Sequence, residues 1–161
     1  MVENIEIFIG IAHIAGIFVG FEALISVTHQ KEVGRIRGLV TVGLTTIIVS
    51  LIPIGLISYG FSGHILWFLS SLIFFFLDWT VIILSLRNPE NREGLRTEKE
   101  THPVMLVLFW LLFEVPLQIP LILTLIGLFP DLEQGFYITA LLFNLFSAAY
   151  MLSQIVYTKA D

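Results

Sequence analysis

The chain has 161 residues, of which 57% are apolar and 13% are charged, and its mean hydropathy is +0.92. An ordinary soluble domain has about 25% charged residues, so this chain has too little polar surface to cover a globule in water. The composition argues against the soluble globular, disordered and nucleic-acid-binding classes. The lack of cysteine excludes disulfides and thiolate metal sites. The net charge of −5 does not describe an acidic surface, because three of the acids lie inside apolar runs.

Five apolar runs are each long enough to cross a bilayer. The hydrocarbon core is about 30 Å thick, and a helix needs about 20 apolar residues to span it. One long hydrophilic loop, residues 87–103, separates the third run from the fourth. We therefore predict an all-α integral membrane protein, with a single bundle of five transmembrane helices over residues 1–161. The predicted spans are 5–28, 38–59, 64–86, 104–128 and 136–157.

The positive charges fall on one side of the predicted spans. All eight Lys and Arg lie in the linker between the first two spans, in loop 87–103 or at Lys159. Lys and Arg in short loops stay in the cytoplasm. The sequence therefore predicts that the N-terminus is outside and that the C-terminus and loop 87–103 are cytoplasmic. The plasma membrane of a bacterium or archaeon is the expected location.

The first span carries both small and polar residues. Gly16 and Gly20 are four residues apart, a spacing that lets two helix backbones approach closely, so we predict a helix-packing face there. His13 shares that face and is the deepest histidine within a span, whereas Glu22 lies on the opposite side, near the cytoplasmic end. Glu22 is open to two interpretations: it belongs to an ion pathway, or it pairs with an arginine of the following linker.

Polar residues recur every seven positions along the third span. His64, Ser71, Asp78 and Ser85 lie on one stripe of a helix, since seven residues are close to two turns. An acid inside a span costs about 2.5 to 3.5 kcal/mol on insertion scales, so Asp78 is expected to face the bundle interior or a wet cavity. A structural hydrogen bond to a hydroxyl group is the alternative interpretation for this carboxyl group.

The fourth span has two prolines around two polar side chains. Glu114 and Gln118 are four residues apart and share a helix face, and they lie beside Pro116 and Pro120. Each proline lacks a backbone N–H and leaves the carbonyl about four residues earlier without its donor. Broken helices of this kind commonly line binding sites, although the prolines are equally compatible with a simple kink.

The fifth span has one polar stripe, which includes Asn144. Small and polar residues flank it at helical spacing, among them Ala140, Ser147 and Ala148. The stripe favours either hydrogen-bonded helix packing or the lining of a cavity.

The three intramembrane acids are predicted to lie at overlapping depths. At 1.5 Å per residue, Glu22, Asp78 and Glu114 lie about 9, 12 and 15 Å from the cytoplasmic ends of their spans, and no Lys or Arg lies within a predicted span. Carboxylates without cations create a site for a proton or a cation. We therefore predict a small ion channel or ion-coupled transporter that is selective for protons or monovalent cations. The predicted pathway residues are Glu114, Asp78, Glu22, Gln118, His13 and Asn144.

Two other classes of function remain open. One is a non-catalytic accessory or scaffold protein that binds lipid or another membrane protein. The other is a membrane-embedded enzyme or small-molecule sensor, which needs an acid–base pair facing a closed cavity. We expect no enzyme activity, no cofactor and no nucleic-acid partner, and the sequence leaves a metal site undecided. Five helices hardly enclose a wide pore, so a homo-oligomer in the lipid bilayer is the predicted assembly.

Overall fold

The computed structural model describes residues 5–28, 33–87 and 103–157, in which the chain forms five long helices. The fourth helix, α4, is continuous over residues 103–126 and contains a π-helical turn between two α-helical parts. A 3-10 turn, Pro130–Leu132, precedes the fifth helix. The helices are α1 (Ile5–Thr28), α2 (Val33–Ser58), α3 (Gly63–Arg87), α4 (Pro103–Phe109, Trp110–Glu114 and Val115–Ile126) and α5 (Glu133–Tyr157).

All five helices are long and apolar enough to cross a membrane, which confirms the prediction of five apolar helices. Two of them begin three or more residues earlier than predicted, α2 at Val33 instead of residue 38 and α5 at Glu133 instead of residue 136. Hydropathy marks only the apolar part of a helix, whereas backbone hydrogen bonds carry the helix on into its polar flanks. Most of the predicted cytoplasmic loop, residues 88–102, lies outside the described residues.

Short turns at one end of the bundle connect α2 to α3 and α4 to α5. We call this end, with residues 59–62 and 127–132, the short-loop end; the opposite end carries Thr28, Arg87 and Tyr157. Gly60 and Gly127 have φ angles of 88° and 69°, in the left-handed region that glycine adopts without strain. These two glycines let α2 and α4 stop abruptly, so that the following helix turns back into the bundle.

The fifth helix is the central helix of the bundle. It packs against α1, α2, α3 and α4, and each of those helices also packs against its neighbour along the chain. Near the short-loop end the core is aromatic, with buried rings whose centroids lie 5.8 to 6.2 Å apart. Tilted and edge-to-face ring pairs stabilise a core beyond the burial of their area. The rings belong to Phe8 of α1, Trp67 and Phe74 of α3 and Tyr137 of α5.

Tyr137 also satisfies a backbone acceptor that a proline leaves open in α2. Pro53 has no N–H, so the carbonyl of Val49, four residues earlier, loses its helical donor. The Tyr137 hydroxyl donates to the Val49 carbonyl oxygen at 2.6 Å, and both residues are fully buried. The proline in α2 therefore creates the acceptor that ties α5 to α2.

Replacing this hydroxyl tests the link between α2 and α5. Tyr137→Phe should lower the free energy of unfolding by about 1 to 3 kcal/mol, because the Val49 carbonyl is left buried without a donor. Thermal unfolding in detergent micelles measures the loss, and Tyr59→Phe is the matched control because Tyr59 is 84% exposed. In a Pro53→Ala background the N–H of the new alanine should donate to the Val49 carbonyl, so Tyr137→Phe should then lower the free energy of unfolding by less. An equal cost in both backgrounds would contradict this interpretation.

The first two helices approach closely at Gly43 of α2 rather than at the predicted glycine pair of α1. A Cβ atom at Gly43 would lie 2.6 Å from Val19 Cγ2. A Cβ atom at Gly16 would meet the Ile47 side chain at 4.0 Å, and one at Gly20 would meet nothing within 4 Å in the described part of the chain. The backbone contact predicted at Gly16 and Gly20 is therefore not made within the described part of the chain, and it stays a prediction for contact with another chain.

Substitution by alanine distinguishes a closely packed glycine, Gly43, from a glycine with open space around it, Gly20. Gly43→Ala should destabilise the purified protein by about 1 to 3 kcal/mol, since the valine it meets is β-branched and has little rotamer freedom. Gly20→Ala, the matched control, should leave unfolding of the monomer in detergent unchanged or slightly improved, because alanine favours a helix. Equal stability of the two variants would argue against close packing of α1 and α2 at Gly43.

Candidate functional site

A hydrogen bond between polar side chains joins α3 to α4. Gln118 Nε2 donates to Asp78 Oδ2 at 2.5 Å. Asp78 is only 7% exposed and lies with Ser71 on the buried side of α3, as the seven-residue spacing of polar residues predicts. The structural hydrogen bond considered for Asp78 therefore exists, but its donor is the amide of the neighbouring helix instead of a hydroxyl group.

Glu114 brings a second acid to the same place. It lies one helical turn before Gln118 on α4, and Gln118 is the residue that contacts Asp78. Glu114 Oε2 and Gln118 Oε1 are buried and have no hydrogen-bond partner among the described residues. We call Asp78, Glu114 and Gln118 the acid site.

A π-helical turn carries Glu114 at its end. The turn spans Trp110–Glu114, and the N–H of Val115 donates to the Trp110 carbonyl oxygen, five residues earlier. Pro116 comes next and has no N–H with which to continue the α-helical pattern, so the wider turn forms where that pattern has to break. Turns of this type are frequent at functional sites. α4 thus departs from regular α-helical geometry in the turn that ends at Glu114.

The acid site is far from any basic residue along the chain. Residues 38–86 and 100–158 contain no Lys or Arg. Asp78 lies about 14 Å along α3 from Arg87, and Glu114 lies about 16 Å along α4 from Pro103, at 1.5 Å per helical residue. The two acids therefore lie at similar distances from the same end of their helices, in stretches of sequence without Lys or Arg. Carboxyl and amide oxygens can share a proton or coordinate a hard cation.

The other predicted pathway residues lie apart from the acid site or outside the described side chains. Asn144 is buried in α5, and its Nδ2 donates to Thr46 Oγ1 of α2 at 3.2 Å, which agrees with the packing interpretation of its stripe. His13 is exposed on α1, while the buried side of that helix carries Phe8, Ile11 and Ala15. The side chain of Glu22 is outside the described residues, so its role stays a prediction.

His64 and Glu133 form a polar pair that sequence reasoning missed. His64 Nδ1 contacts Glu133 Oε1, which links the first turn of α3 to the first turn of α5 at the short-loop end. The Glu133 side chain is 1% exposed and that of His64 is 49% exposed. The available signal was that an acid and a histidine begin two helices at the same end of the bundle.

Comparison with known protein families, with curated proteins and with solved structures finds no match to this chain. Within residues 5–28, 33–87 and 103–157, no group of three or more His, Asp or Glu is arranged to hold a metal ion. The function therefore has to be inferred from the acid site and from the helices that surround it.

Proposed function

We propose that this protein is a small membrane ion channel or ion-coupled transporter, in which Asp78 and Glu114 receive a proton or a monovalent cation. One observation carries the proposal: Asp78 of α3 is hydrogen-bonded to Gln118, one helical turn from Glu114 on α4, in stretches of sequence that contain no Lys or Arg. A scaffold does not need two acids at this depth. An ion pathway does, because the acids supply the negative charge that attracts and holds the ion.

The energetics support the same proposal. Each acid costs about 2.5 to 3.5 kcal/mol at the centre of an inserted helix, and among the described residues of the acid site only Asp78 accepts a hydrogen bond. Glu114 Oε2 is buried without a hydrogen-bond partner among the described residues, so no hydrogen bond offsets the cost of its burial. A residue that lowers stability in this way is typical of a functional site, where a ligand supplies the missing interaction.

We also propose that the five apolar helices cross a bacterial or archaeal plasma membrane, with the short-loop end outside. The support is the distribution of charge along the sequence. All eight Lys and Arg fall within residues 31–37, 87–99 or 159, and none falls in residues 59–62 or 127–132, whereas positive loops stay in the cytoplasm. A reporter enzyme that is active only in the cytoplasm should work when fused after residue 161. A reporter that is active only outside the cytoplasm should fail at that position, and its activity there would contradict the proposed orientation.

A homo-oligomer is the proposed assembly. α1 leaves His13 exposed and offers open space at Gly10 and Gly20, so this face can accept another helix closely. A polar side chain facing lipid is costly at this depth, and contact with a second copy would remove that cost. The ion path in such an assembly runs through each chain, at its own acid site.

Glu114→Gln tests the proposed function directly. The variant keeps the shape of the side chain but removes its charge, so proton or cation flux into liposomes should fall sharply while the protein still folds. The thermal stability of the variant should stay the same or rise, because the substitution removes a buried acidic group that has no hydrogen-bond partner at Oε2. Asp78→Asn should reduce flux as well. Glu6→Gln is the matched control, since Glu6 is exposed on α1, and its flux should equal that of the wild type.

The alternative functions make a different prediction for the same liposomes. If wild-type protein gives no flux over a range of pH and of monovalent cations, the transport proposal fails and an accessory role replaces it. Unchanged flux in both Glu114→Gln and Asp78→Asn would equally contradict the proposal, because the ion would then pass elsewhere.

A further inference from the structure

A set of unsatisfied polar atoms extends beyond the acid site. In the described part of the chain, the buried side-chain atoms without a hydrogen-bond partner all lie on α3, α4 and α5. Native proteins satisfy the great majority of their buried polar groups, so each exception needs an explanation. The atoms are Ser70 Oγ, Ser71 Oγ, Glu114 Oε2, Gln118 Oε1 and Glu133 Oε2.

Ser70 and Ser71 differ from other hydroxyl residues of the same bundle. A helical serine or threonine can donate to the carbonyl oxygen four residues earlier, and several here do so, including Thr46, Ser50 and Thr124. Ser70 and Ser71 are fully buried, yet neither hydroxyl makes this bond or any other among the described residues. Their hydroxyl groups are therefore available to a ligand or to water.

These serines lie between two polar groups along α3. His64, Ser71 and Asp78 are each seven residues apart and share one stripe, so successive members lie about 10 Å apart along the helix axis. His64 is half exposed at the short-loop end, where it contacts the buried Glu133. The stripe therefore leads from a surface histidine, past buried hydroxyl groups, to the acid site.

We propose that Ser70 and Ser71 line a hydrated access route from the short-loop end to Asp78 and Glu114, and that the His64–Glu133 pair closes its mouth. This inference rests on the proposed function, because it supplies the way in for the ion. The bulky rings of Trp67, Phe74 and Tyr137 share the same part of the core. A route that passes these rings has to be narrow, which suits protons or small monovalent cations and excludes larger solutes.

Cysteine labelling tests the route without any measurement of flux. The natural chain has no cysteine, so Ser70→Cys and Ser71→Cys each introduce a single thiol. In proteoliposomes, a membrane-impermeant, positively charged methanethiosulfonate reagent should modify them at least about tenfold faster than Ser50→Cys, since only a hydrated thiolate reacts. Ser50 is the matched control because it is also fully buried, but its hydroxyl donates to the Thr46 carbonyl oxygen.

The position of the mouth is tested in the same assay. His64→Ala should speed the labelling of Ser71→Cys, because it removes the contact with Glu133, and should leave Ser50→Cys unchanged. Labelling of both serine variants at the rate of Ser50→Cys would overturn the route. Fast labelling that His64→Ala does not alter would overturn the proposed mouth. Size-exclusion chromatography of each variant verifies folding, and either serine variant alone is sufficient for the test.

The two proposals fail in distinguishable ways. Flux that depends on Glu114, together with unreactive serine variants, would leave the transport function standing and remove this route. Reactive serine variants without any flux would leave a hydrated route in place and remove the transport function.

Discussion

A polar group inside an apolar helix bundle has to find its partner within the bundle, because neither lipid nor an apolar core supplies one. Much of this structure follows from that constraint. The carbonyl of Val49, which Pro53 leaves without a donor, receives the hydroxyl of Tyr137. The amide of Asn144 donates to Thr46. Each of these bonds joins α5 to α2, so the polar groups of the bundle position its central helix.

The same constraint applies to the acid site, where some buried polar atoms have no partner. Asp78 has a donor in Gln118, but Glu114 Oε2 and Gln118 Oε1 have none in the described structure. An apolar residue at position 114 would pack without this cost, so the acid contributes something other than stability. We propose that the two carboxyl groups, in stretches of sequence without Lys or Arg, form a site for positive charge, and this is the physical basis of the proposed ion pathway.

The sequence predicts those features that depend on one helix at a time. Length and apolarity identify the five helices, and the spacing of Asp78 on one helix and of Glu114 and Gln118 on another indicates which polar residues share a face. Contacts between helices are a different matter, because they depend on which faces meet. The Gly16 and Gly20 pair has the spacing of a packing motif, yet α1 turns its other side inward and α2 supplies the close contact through Gly43. The bonds of Tyr137 and His64 likewise join residues far apart in the chain.

The most direct measurement of the central claim is the equilibrium binding of positive charge by purified protein in detergent. Potentiometric titration and calorimetry with Na⁺ and K⁺ would count the protons and cations taken up by the wild type and by the double variant Asp78→Asn, Glu114→Gln. We predict that the wild type binds more positive charge per chain, and that protons and the bound cation compete for the same site. Equal uptake by the two proteins at every pH and salt concentration would contradict the claim that Asp78 and Glu114 form a site for an ion.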